Sequence, residues 1–414
     1  MSADPQPTGV PGPSRRNDLL IKGLTFMMFL TFAMTTDSVG VIIPKVIAEF
    51  SLGLTAGGAF HYATMSGIAL AGLFLGFVAD RLGRKGAIVL GLILFGLASA
   101  LFIVGQDFAF FLLLLFVSGV GIGVFKTGAL ALIGDISTST RSHTATMNTV
   151  EGFFGVGAII GPAIVTALLV AGASWKWLYV IAAALSALLI LSALAVRYPE
   201  RVRTDDARTD LRATLAMMRD PYALAFSLGA MLYVGVETAI YVWMPTLLQG
   251  YQGPAHMLAA YALSVFFVLR AGGRFLGAWM LNRLKWTTVL AVSSLVILLC
   301  FAGSLIGGVD VAVYLLPLSG LFMSVIYPTL NSKGISVFDK ARHGAAAGVI
   351  LFFTCISAVL APLAMGAVSD LFGGPVYGFA LATGFALLLF GALAANAVLD
   401  PSRVILAQKD VADY

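Results

Sequence analysis

Runs of about 20 consecutive apolar residues recur along this chain with short polar breaks between them, and that length is what an α-helix needs to cross a bilayer's hydrocarbon core. Twelve runs can be counted, over residues 20–44, 57–79, 86–106, 109–134, 146–171, 175–196, 222–247, 257–281, 287–307, 311–334, 344–368 and 375–397. A transmembrane strand needs only about 9–11 residues, so the spans read as helices and the fold class as all-α. Composition agrees: 59% of the 414 residues are apolar and 11% charged, against about 25% charged in soluble domains. Too little charge remains to cover a water-facing surface, which excludes soluble enzymes, nucleic-acid binders and disulfide scaffolds. Cys300 and Cys355 both fall inside apolar runs and read as buried thiols.

Basic residues orient the spans. With the N-terminus inside, 19 of the 25 Lys and Arg residues fall on inner segments and only Lys45 and Lys176 on outer loops. That asymmetry is the positive-inside pattern and predicts both termini in the cytoplasm. Residues 1–18 read as a disordered cytoplasmic tail, 19–196 as one six-helix bundle, 197–221 as a polar cytoplasmic linker, 222–398 as a second bundle and 399–414 as a cytoplasmic tail. Two bundles about a polar linker is a construction used by secondary transporters, with the solute site near the midplane between them.

After the second span comes Gly76-Phe77-Val78-Ala79-Asp80-Arg81-Leu82-Gly83-Arg84-Lys85, and an echo, Gly366-Ala367-Val368-Ser369-Asp370-Leu371-Phe372-Gly373, closes the eleventh on the opposite side. The first string resembles the G-x-x-x-D-R-x-G-R-K loop of the major facilitator superfamily. Within it, Tyr233-Val234-Gly235-Val236-Glu237, Ser324 to Leu330 and Pro362 to Gly373 are similar to the fucose, galactose and hexose proton-symporter family. The resemblance implies twelve helices in two pseudo-symmetric six-helix bundles, a major facilitator fold. It also implies a cavity lined by helices 1, 4, 7 and 10, proton-coupled sugar uptake across a bacterial inner membrane, and gating by Gly76, Asp80, Arg81, Gly83, Arg84 and Asp370. Two positions depart from it: similar family members carry acids near Lys126 and at Gly40. Gly157-Ala158-Ile159-Ile160-Gly161-Pro162 in helix 5 resembles the glycine-proline motif of drug exporters, and reads equally as small residues allowing close helix packing.

Ionisable groups inside a bilayer face a cavity or a partner. Depth along each span, at about 1.5 Å per residue, puts Lys126 and Glu151 on one level and Glu237 and Arg270 on another. Two ion pairs are expected, Lys126–Glu151 and Glu237–Arg270, with Arg274 one turn from Arg270. Lys333 is expected to snorkel at the end of helix 10. Asp37 is left without a basic neighbour. Desolvation favours the neutral form of a carboxyl group, so Asp37 is the expected proton site, followed by Glu237 and Glu151. Lys126 and Arg270 could hold an anionic solute; if both are engaged by carboxylates, Asn148, Asn331, Tyr233, Tyr241, Trp243 and Tyr327 remain to bind hydroxyls or a ring face.

No catalytic constellation, metal-ligand spacing or phosphate-cradling loop is present in the sequence, so no enzyme activity, cofactor or metal is expected. The expected partners are a small solute, protons and the lipid bilayer, with no nucleic acid and a monomeric state. Proton-coupled movement of a sugar, sugar acid or organic anion by alternating access is the leading expectation. A proton-driven exporter of a metabolite, drug or chelator, a passive uniporter and a non-transporting receptor are its alternatives.

Overall fold

The computed structural model describes residues 15–75, 81–137, 140–198, 216–339 and 342–406, nearly all of them helical. We number the spans α1 to α12. In the first half, α1 comprises Arg15–Thr36 and Val39–Phe50, and α2 comprises Leu54–Gly57 and Ala59–Phe74. Then follow α3 (Gly83–Leu101), α4 (Phe108–Ile136), α5 (Thr140–Val170) and α6 (Trp177–Ala195). In the second half, α7 runs Pro221–Thr238, passes through a π turn at Ala239–Trp243 and ends with Met244–Leu247. After it come α8 (Ala262–Leu281), α9 (Trp286–Gly307), α10 (Val309–Met323 and Ile326–Ser336), α11 (His343–Phe372) and α12 (Pro375–Leu399). Among the described residues eleven helices are long and apolar enough to cross a membrane. The remaining span, α2, is 16 residues long in Ala59–Phe74, and residues 76–80 that would extend it lie outside the described residues.

Packing repeats with a shift of six. The pairs α2–α4, α3–α4, α1–α5, α3–α6 and α1–α6 of the first half recur as α8–α10, α9–α10, α7–α11, α9–α12 and α7–α12 in the second. The chain therefore folds as two six-helix bundles of the same design. Helices in lipid gain little from burying apolar faces and associate instead through close backbone approach and hydrogen bonds. Gly119 on α4 illustrates this, since a Cβ added there would run into the Thr64 carbonyl of α2. In helix 5, Gly157 and Gly161 sit against the Leu30 and Met34 carbonyls of α1. The Gly157–Pro162 string thus has a packing role within its own bundle.

The halves meet mainly at one end of the molecule, where α1 passes into α2. There Val39–Phe50 of α1 packs on the π turn and last turn of α7, α2 packs on α11, and α5 packs on α8. The first segment of α1 packs instead on α4, α5 and α6 of its own half. The halves consequently part at the α1 break, Asp37–Ser38. Toward the opposite end, Asn148, Thr149, Glu151 and Gly152 of α5 and Arg274 of α8 are exposed.

Gly119→Val should lower the melting temperature of the purified protein by an overpacking penalty of about 1–3 kcal/mol. Gly134→Ala, on the same helix with open space around it, should not. Equal melting temperatures for the two variants would contradict the close α2–α4 approach.

Candidate functional site

Three helices are interrupted near the level at which the halves part. Proline lacks the N–H that would bond the carbonyl four residues back. Pro328 thereby frees Ser324, where α10 breaks before Ile326. Pro245 frees Tyr241, inside the π turn of α7. Such π turns within α-helices gather at functional sites. The Tyr241 carbonyl is met across the interface by Gly40, where a Cβ would collide with it. That contact explains why Gly40 stands where the resemblance expects an acid: the closed α1–α7 approach has no room for a side chain.

Just before the π turn, Glu237 is 7% exposed. Arg270 Nη2 from α8 approaches its Oε1 at 2.5 Å, and the Tyr233 hydroxyl, one turn earlier on α7, donates to the same oxygen at 2.9 Å. The expected Glu237–Arg270 pair is present, and Tyr233, 1% exposed, is part of it. The Tyr327 ring of α10 stacks beyond, 6.3 Å from the Tyr233 ring.

Asp37 lies in the α1 break, half-buried, and accepts a hydrogen bond from Thr36 Oγ1 at 3.1 Å. Arg270, Glu237 and Lys126 all lie within its electrostatic range. Ionisable side chains from α4, α7 and α8 therefore gather within electrostatic reach of the α1 carboxylate, and all four are buried or half-buried.

The expected Lys126–Glu151 pair does not close to ion-pair contact, although Glu151 lies within electrostatic range of Lys126. Lys126 extends over the Phe154 ring, its Nζ 5.5 Å from the centroid, while Glu151 faces Arg274 of the other half at 3.9 Å. Depth along a helix fixes height but not direction around the axis. Lys126 reaches Phe154 on α5, and Glu151 comes nearest to Arg274 of the other half.

Trp243 also departs from expectation. Its indole N–H donates to Pro362 O at 3.1 Å, it is 4% exposed, and its ring is wedged between Gly58 of α2 and Gly366 of α11. It belongs to the contact that closes the α1/α2 end and is not available to a solute. Tyr241, Tyr327 and Asn331 are half-buried on α7 and α10, and Asn148 is exposed on α5.

Around Trp243 the closure contains groups the sequence did not single out. The Tyr62 hydroxyl donates to Pro362 O at 3.1 Å, and the His61 ring donates through Nε2 to Ala358 O at 3.0 Å. Asp370 accepts from the Leu54 and Thr55 amides at 2.7 and 2.8 Å, so it caps the N-terminus of α2 from the opposite half. The expected gating residue Asp370 thus reaches across the halves, to backbone N–H groups. Along α5 and α8, Thr166 Oγ1 donates to Ala260 O at 3.2 Å and Ser264 Oγ to Ile159 O at 3.1 Å. Polar residues in an apolar run were a signal for these, but nothing in one sequence tells which helix they reach.

Of the other motif residues, Gly76 and Asp80 lie outside the described residues. Arg84 pairs with Asp135 of α4 at 2.9 Å. Arg81 is exposed beside it, and Gly83 takes φ +73° at the start of α3, a conformation that favours glycine.

The model of the Major Facilitator Superfamily matches residues 24–362, and the chain belongs to that family of membrane transporters. It is 24% identical over 393 residues to the L-fucose-proton symporter of Escherichia coli (strain K12), covering 86% of this chain and 89% of that protein. It is 22% identical over 364 residues to a glucose/galactose transporter of Brucella abortus biovar 1 (strain 9-941), covering 84% and 87%. Among solved structures, a nucleoside transporter superposes with a TM-score of 0.72 at 18% identity, covering 92% of this chain and 98% of that one.

Arg270→Gln should strand Glu237 and lose about 3–5 kcal/mol of stability. The Glu237→Gln/Arg270→Gln double variant should recover most of the loss, as read from detergent melting curves. Additive losses would mean that the two groups are not coupled.

Proposed function

We propose that this chain moves a small polar solute together with protons by alternating access, that it lies in a bacterial inner membrane, and that both termini face the cytoplasm. The observation that carries this reading is the gathering of Asp37, Lys126, Glu237 and Arg270 where the halves part and α1 and α7 depart from regular helix. A charged group is expensive in hydrocarbon, so a cluster of four marks a water-reached path. The names of the fucose and glucose/galactose relatives support a sugar-like solute. The 19-to-2 division of basic residues supports the orientation.

In this orientation the α1/α2 end is periplasmic and closed, the opposite end is open, and the conformation is inward-open. Asp37 is the proton carrier. Glu237, Arg270 and Tyr233 form a fixed scaffold that holds α7 to α8. Tyr241, Tyr327, Asn331 and Asn148 offer hydroxyl and amide contacts to the solute. Asp370 latches the periplasmic closure, and Arg84 with Asp135 belongs to the cytoplasmic face that must close in the alternate state.

Asp37→Asn should abolish accumulation driven by a pH gradient in proteoliposomes while leaving counterflow exchange of the same solute. Unchanged accumulation would remove Asp37 from the coupling step. A membrane-impermeant maleimide should modify Asn148→Cys in inside-out vesicles and spare it in right-side-out ones; the reverse would invert the topology.

A further inference from the structure

Three formal charge groupings remain once the crevice is inventoried. Glu237 and Arg270 neutralise each other in a short, buried contact. Glu151 and Arg274 face each other at the exposed mouth. The third grouping is Asp37 and Lys126, neither in ion-pair contact: Lys126 lies within electrostatic range of Glu151 first and Asp37 second, and Glu151 is also drawn to Arg274. Among the described residues no carboxylate lies within 4.0 Å of the Lys126 ammonium, which rests over the Phe154 ring.

The two groups sit at different heights on neighbouring helices. Phe125, the residue before Lys126, packs against Phe29 and Phe32 of α1 with ring centroids 5.2 and 4.6 Å apart. Phe32 precedes Asp37 by five residues, about 7.5 Å of helical rise. The ammonium is thus carried on a span braced against α1, with the aromatic face of Phe154 on one side of it.

We propose that the solute is a monoanion, a sugar acid in preference to a neutral sugar, that Lys126 is its counter-charge, and that one proton and one anion cross together without net charge movement. This rests on the proposed role of Asp37 as proton carrier. Empty, the Asp37 carboxylate and the Lys126 ammonium sum to zero. A proton alone on Asp37 leaves the crevice at +1, and an anion alone beside Lys126 leaves it at −1. Either state carries an unbalanced charge into a closed, poorly solvated compartment. A proton with a monoanion restores zero. Only the empty and the doubly loaded carriers then close readily, which is the rule that prevents leak of either species. A neutral sugar would leave the loaded carrier at +1.

The test uses the full-length protein and two matched probe pairs that differ in one carboxylate, D-galactose with D-galacturonate and D-glucose with D-glucuronate. At least one acid should raise the melting temperature where its neutral partner does not. Lys126→Gln should weaken that acid roughly 10- to 100-fold, the range expected for loss of a charge-assisted hydrogen bond, while Lys126→Arg retains it. Should Lys126→Gln fail to fold, Lys126→Met with the Lys126→Arg comparison supplies the same reading. In proteoliposomes the acid should accumulate under a pH gradient with the membrane potential clamped at zero, and not under a potential alone. Stabilisation by a neutral sugar with potential-driven uptake would overturn the anion and leave the transporter reading standing. Potential-driven uptake of the acid would overturn the charge balance. No stabilisation and no uptake with any of the four probes would overturn both readings.

Discussion

The cost of carrying an ionised side chain into hydrocarbon governs this molecule. Asp37, Lys126, Glu237 and Arg270 all occur in apolar spans, and each must reach a partner or water. The chain meets that demand by bringing helices from both halves together around these groups. Glu237 and Arg270 answer the constraint by pairing, with Tyr233 filling another lone pair of the same oxygen. Asp37 answers it with a hydrogen bond from Thr36, and Lys126 rests on the Phe154 ring.

The two bundles also show how such a level is built. Each repeats the same helix pairings, and the close approaches are made by glycine on carbonyl oxygen, as at Gly119 and Thr64 or Gly157 and Leu30. Rigid halves leave the interface as the place where change can occur. There one such contact, Gly40 on the Tyr241 carbonyl, is joined by single hydrogen bonds from Tyr62, His61, Thr166 and Ser264 to carbonyls of the other half. A hydrogen bond of this sort is worth about 0.5–1.5 kcal/mol net, so several can be exchanged for water one after another.

Much of this was legible in the sequence, and what was not has a physical reason. Span positions followed from length and hydropathy because a bilayer imposes both. The Glu237–Arg270 pair was legible because both sit near mid-span on consecutive antiparallel helices, where height alone brings them together. Height was not enough for Glu151, whose direction around α5 takes it to Arg274 instead of Lys126. Trp243 read as a ring for stacking on a solute, yet its place between Gly58 and Gly366 depends on a contact between distant helices that no single span encodes. The break of α10 could have been read from Pro328. The break at Asp37–Ser38 could not, since Pro44 frees the Gly40 carbonyl and not one at residue 37 or 38.

Gly40 pressed on the Tyr241 carbonyl and Asp370 on two amides build a door at the α1/α2 end out of main-chain contacts. Among the described residues its contacts join main chain, rings and the Asp370 carboxylate, so parting them tears no ion pair asunder and hands amides, carbonyls and one carboxylate over to water. Selection is thereby confined to the chamber behind, and the door can swing with the same ease for whatever passenger that chamber has accepted.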